Sequence, residues 1–412
     1  MNTKVFTFCL VLIAALSCSK DGPRTLVAEV TIATPITKTV AELRESVAVE
    51  PVRDLTESGK FYAYQNFILV NDLNKGIHVI DNTYPTQPVK VAFINIPGNI
   101  DMAVKDNILY ADSWLDLYVF DFSDPLNITL INRLEEVLPQ RRLSLPADVY
   151  EADFANYDFE RDIIVDWELR TEQREFTVYS EDDNVILDAA SAESGGSGTG
   201  GSLARFNIVG DYLYAVQQDQ IHTFDISTLD NPVKLGEEYV GWQIETIFAE
   251  GDYLYIGSVS GMYIYAIDNP AAPTYLSNVN HILGCDPVVV KGDYAYVTIR
   301  GGNLCGQQIS QLDVIDISDK SNPFIDHSIA MQEPYGLGVK DNRLYVSDGS
   351  NGLVQFNISD PLNTTEEIRY NSLEVLDIIP QEDLLVMVGN NVMYNYEYTD
   401  EGIGIIASFS LN

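Results

Sequence analysis

Residues 101–134 carry four short runs, Asp101-Met102-Ala103-Val104-Lys105, Ile108-Leu109-Tyr110-Ala111, Leu117-Tyr118-Val119-Phe120-Asp121-Phe122 and Ile128-Thr129-Leu130-Ile131-Asn132-Arg133-Leu134. Rich in β-branched and aromatic residues and parted by polar ones, they predict four antiparallel strands, a to d. The pattern recurs along the chain. Strand b returns as Tyr212-Leu213-Tyr214, Tyr253-Leu254-Tyr255, Tyr294-Ala295-Tyr296 and Arg343-Leu344-Tyr345, with Phe67-Ile68-Leu69 and Leu384-Leu385-Val386 in the terminal copies. Strand c returns with Asp81, Asp121, Asp225, Asp316 or Asn357 at its end, followed by a turn such as Ser123-Asp124-Pro125 or Asp230-Asn231-Pro232. Pro cannot donate to a ladder and Asp or Asn bonds its own backbone, so these clusters end strands and reverse the chain. A residue needed once per copy reads as a turn cap before it reads as a catalyst or metal ligand.

Four strands about every 40 residues predict an all-β propeller of four-stranded antiparallel blades, seven in number, with six or eight as alternatives. The blades fall at 59–98, 99–139, 203–242, 243–283, 284–331, 332–373 and 374–412. The stretches Gly76-Ile77-His78-Val79-Ile80-Asp81-Asn82, Ile96-Pro97-Gly98-Asn99-Ile100-Asp101-Met102-Ala103-Val104-Lys105 and Asp313-Val314-Ile315-Asp316-Ile317-Ser318 resemble the LVIVD-repeat proteins, secreted or lipid-anchored bacterial β-propellers. The resemblance covers 59–412 outside one insertion. It implies the fold and brings no activity, catalytic residue or ligand with it.

Ahead of the repeats, Lys4 and an apolar run from Val5 to Leu16 precede Ser17 and Cys18. The run is too short to span a bilayer and reads as a signal peptide, 1–17. Ala15-Leu16-Ser17-Cys18 resembles a bacterial lipobox, with Ala where Leu is commonest, so Cys18 is expected to be lipidated and 18–58 to act as its tether, with one or two helical turns over 36–43. Ser19-Lys20-Asp21 partly resembles a Lys-acidic surface-export signal. An outer-membrane lipoprotein exposed on the cell surface is expected, a periplasm-facing one being the alternative. Cys285 and Cys305 remain as an even pair in an oxidising compartment, where a disulfide is the default expectation.

The net charge of −37, from 61 Asp and Glu against 24 Lys and Arg, argues against nucleic acid as a partner. Residues 140–202 interrupt blades two and three with an acidic, aromatic segment ending in a Gly/Ser run that reads as a flexible linker, although 162–169 has the composition of a strand. In an a-b-c-d blade the b–c loops and d-to-a connections share one face. That face gathers the candidate binding residues Asp72, Asp101, Asp112, Trp114, Asp116, Trp167, Trp242, Glu245, Asp286, Arg300, Glu333, Tyr335 and Asp348. The acids could ligate Ca²⁺, but 112–116 and 348–351 lack the alternation of a calcium loop, and a solvated acidic rim is the simpler reading. His78, His222, His281 and His327 form no metal motif, and no catalytic motif occurs, so no catalytic or metal residue and no cofactor is assigned. The function expected is a non-enzymatic scaffold for an extracellular glycan or protein. Alternatives are a polysaccharide-acting enzyme with facing carboxylates near the central channel, and a structural assembly subunit.

Overall fold

A computed structural model describes residues 24–141, 143–178, 203–241, 243–280, 287–301 and 309–412. Seven four-stranded units, over residues 58–95, 102–134, 206–239, 244–280, 288–330, 337–370 and 377–410, run in sequence order from first strand to last. Blade one gains a fifth strand, Ala48–Glu50, paired with its outermost strand Val89–Asn95. The expected sevenfold all-β propeller is therefore the architecture.

The apolar residues explain why the blades form a ring. Leu69, Ile77 and Ile94 of blade one pack with Leu109, Tyr118 and Phe120 of blade two, and six further buried clusters fill the remaining junctions. The seventh joins Val386, Val388 and Met393 to Phe61, Ile68 and Val70, so the last blade closes on the first. No strand is shared across this closure. It is held by packing, by Leu55 N–H donating to Leu411 O at 2.9 Å, and by reciprocal side-chain bonds between Asn82 and Asn395 at 3.2 and 2.7 Å.

The recurrent residues have recurrent tasks. Asp81, Asp121, Asp225, Asp316 and Asn357 each accept the N–H two residues on, from Thr83, Ser123, Ser227, Ser318 and Ser359, at 2.8–2.9 Å. They are turn caps. Tyr110 Oη donates to Leu229 O at 2.8 Å and Tyr214 Oη to Pro270 O at 2.7 Å, latching strand b to the c–d turn of the next blade. In every blade the c–d pairing slips by a residue along strand c, at Val79/Ile80 in the first and Asn395/Tyr396 in the last, and in the five capped blades the slip lies just before the cap. A bulge there adds twist to each outer strand.

Outside the ring, Arg24–Thr39 is a strand, paired antiparallel along its length with Asp162–Val178 of the insertion and in parallel with Val149–Ala152. The expectation of helical turns over 36–43 is corrected: Ile36 to Thr39 stay extended, and the helix is Val40–Glu45. Thr39 accepts from Glu42 N while Glu42 Oε2 accepts from Thr39 N at 2.7 Å, a capping box that starts the helix there.

Candidate functional site

The added sheet sits on the b–c loop of blade two. Leu43 from the helix and Ile163 from the insertion cover Trp114, which is 2% exposed. Arg44 then binds Asp116 through two bonds of 2.7 and 2.9 Å. Trp114 is thus a packing residue beneath the sheet.

The described Asp residues of the face are buried and committed to the fold, while Glu245 and Glu333 are half-buried. Asp72 accepts from Thr56 Oγ1 and from Glu57 N at 3.1 Å; burial pushes its carboxyl up, but His78, Thr56 and the Glu57 N–H outweigh this and hold it at about 2. Asp112 Oδ1 accepts from Ile100 N and Asp101 N at 2.8 Å and from Asn99 Nδ2 at 2.9 Å. Burial lifts its carboxyl to about 6 against the pull of Arg141 and those N–H groups. Asp348 repeats the arrangement, accepting from Gln332 N and Glu333 N at 2.9 and 2.8 Å and from Arg369 at 2.8 Å. Asp101 accepts Met102 N at 2.7 Å and reaches across to Arg205 N and Phe206 N of the next blade. In place of a solvated rim there are carboxylates that pin d-to-a connections to strand ends. Among the described residues no group of three or more His, Cys, Asp or Glu is placed to hold a metal.

Other predicted residues separate into local groups. Arg300 stacks on Tyr335, 4.1 Å from the ring centre, and Tyr335 Oη donates to Glu333 at 3.0 Å, uniting three of them at the junction of blades five and six. Glu245 lies in the first strand of blade four, its main-chain O accepting from Arg205 Nε at 3.4 Å. Trp167 Nε1 donates to Ser144 O at 2.8 Å and its ring meets Phe154 edge-on at 5.9 Å. Cys18, Trp242, Cys285, Asp286 and Cys305 lie outside the described residues.

Two features escaped the sequence reading. Phe154, Tyr157 and Phe159 cluster with Trp167 on the insertion, ring centres 4.5–5.9 Å apart, and Phe159 is 75% exposed. Their spacing in a stretch rich in Asp was the available signal. The second is a cleft between the added sheet and blades one and two, lined by Lys38, Arg53, Asn74, Lys75, Asn95 and Trp114 among others. Nothing local in the sequence announces it, because its walls come from separate segments.

The LVIVD-repeat model matches 244–281, 285–330 and 336–372, each range framing one sheet. Three of the seven blades are LVIVD repeats. No curated protein matches the chain. Among solved structures, a functionally unknown protein from Desulfotomaculum acetoxidans is similar over 83% of this chain and 96% of its own, at 11% identity and TM-score 0.54. The computationally designed Ika8 protein is similar over 87% and 89%, at 9% identity and TM-score 0.53. Likeness at such identity bears on the fold alone. The LVIVD blades four to six adjoin the Arg300, Tyr335 and Glu333 group, whereas the added sheet rests on blades that the model does not match.

Proposed function

We propose that this chain is a lipid-anchored protein of the bacterial outer membrane and a non-enzymatic binding scaffold, presenting its b–c/d-to-a face to an extracellular glycan or protein. The observation that carries this is the contrast between buried Asp residues and a ring cluster that reaches solvent through Phe154 and Phe159. The Asp residues described on the face are tied to main-chain N–H groups or Arg, whereas exposed Phe154 and Phe159 cluster with half-buried Tyr157 and Trp167 where two strands of the added sheet are joined, on a support braced against the ring. Rings held on a rigid support offer apolar contact area at small entropic cost.

The enzyme reading needs two carboxylates flanking a substrate bond. Asp112, at about 6, has the acidity of a general acid, and Asp101 adjoins it. Yet they are 6% and 2% exposed, and Asp112 Oδ1 is shared by three N–H donors, so substrate has no route to either.

An array of surface and extracellular polysaccharides, probed with the full chain and assayed in parallel for released sugar, tests this. Binding without release, weakened by Phe159→Ala, is expected; turnover would overturn it. Anchoring is tested by Cys18→Ala, which should release the protein from membranes, since acyl chains supply the binding energy.

A further inference from the structure

The cleft beneath the added sheet runs against the charge of the molecule. Its volume is about 200 Å³, and its charged lining consists of Lys38, Arg53 and Lys75, without a carboxylate. Lys and Arg number 24 against 61 Asp and Glu, so random placement would give three cations and no acid about one time in 45.

Of these three cations only Arg53 is paired with an acid among the described residues, its Nη2 donating to Asp72 Oδ2 at 3.4 Å. Among the described residues neither Lys38 nor Lys75 makes an ion pair; Lys75 Nζ donates to Thr56 Oγ1 at 2.7 Å. Arg53 also lies 3.5 Å from the centre of the Phe93 ring, and its Nε is buried without a partner. Behind the wall a fourth cation, Arg141, donates to Asn74 Oδ1 at 2.5 Å and Gly98 O at 3.0 Å and stacks on Trp114 at 4.7 Å. The carboxylates nearby are Asp72, paired as above, Asp112, which faces Arg141, and Glu42, held by Thr39 at the helix start and within the field of Lys38. Trp114 Nε1 is a further buried donor without a partner, and it lies against Gly98: a Cβ there would come within 2.6 Å of it. Cations lining one cleft of low wall dielectric raise the local concentration of anions.

We propose that this cleft binds the anionic group of a saccharide, a carboxylate, sulfate or phosphate, with Lys38, Lys75 and Arg53 as its ligands and Asn74 and Asn95 meeting adjacent hydroxyls. The volume lies below the roughly 300–1,000 Å³ of drug-sized sites, so it takes one charged end unit and leaves the rest of a chain outside. This rests on the glycan reading above and gives that glycan a charge.

Titration calorimetry of the full chain with glucuronate, glucose 6-sulfate, glucose 6-phosphate, glucose and inorganic phosphate tests it. Binding of at least one sugar acid, tighter than glucose or inorganic phosphate and weakening as salt rises, is expected. Lys38→Glu with Lys75→Glu, two exposed positions, should weaken it by about tenfold or more. Unchanged binding in that variant overturns the site, as does inorganic phosphate binding as tightly as the sugar phosphate. Failure of all three sugar acids while neutral polysaccharides still bind the array removes the cleft and leaves the scaffold reading; failure of both removes both.

Discussion

Lys60→Met should stabilise the protein, by an amount that depends on pH. Lys60 lies in the innermost strand of blade one, 4% exposed, with Nζ 3.5 Å from Asp101 Oδ2 and no hydrogen bond. Burial pushes its ammonium down from 10.5 to about 8, with Asp101 opposing the shift. At about 1.4 kcal/mol per pH unit, keeping Lys60 charged in the fold at pH 7 costs about 3 kcal/mol. Between pH 8 and 10.5 the unfolded chain holds the proton and the folded one releases it, so the native protein gains stability as pH rises. Met fills a similar volume without a charge, while Asp101 keeps its three main-chain donors. Urea unfolding of both proteins from pH 7 to 10 should therefore find the variant more stable by up to about 3 kcal/mol at pH 7, the gap closing above pH 8. A variant less stable at pH 7, or a gap indifferent to pH, would refute the reasoning.

Removing Arg44 leaves Asp116 buried without its two-bond partner, so Arg44→Ala should lose about 3 kcal/mol in urea unfolding, partly regained when Asp116→Asn is added. Leu43→Ala opens a gap over Trp114 and should cost about 2–5 kcal/mol, read as faster tryptic cleavage at Lys38 while the blades resist. Intact-mass analysis under alkylating conditions without reductant should leave Cys285 and Cys305 unmodified; two alkylated thiols would remove the proposed disulfide.

What could be read from the sequence was what repeats. Strand b, the Asp caps and the Pro turns recur at one spacing, and each acts within a few residues of itself, as Asp121 does on Ser123. The acids of the face were misread although the same criterion was available. Asp72, Asp112 and Asp348 stand at the ends of strand b in three blades and all accept N–H groups from the preceding connection. A recurring residue fills a recurring vacancy in the backbone, whichever end of the blade it occupies.

The added sheet obeys no such period. Thr31 pairs with Thr171 and Lys38 with Ile163, partners more than a hundred residues apart, and both strands leave apolar groups exposed, among them Leu26, Val27, Ile36 and Leu169. Alternation that does not separate inside from outside gives no local sign of a partner. The cleft inherits this illegibility: Lys38 comes from the N-terminal strand, Arg53 from the segment before blade one, and only Lys75 from a blade loop. Seven similar blades offer seven similar surfaces, and a ligand that must choose among them needs a place where the repeat is broken. In this molecule that place is the junction of blades one and two, where two non-repeating segments meet over Trp114 and set three cations against the charge of the whole.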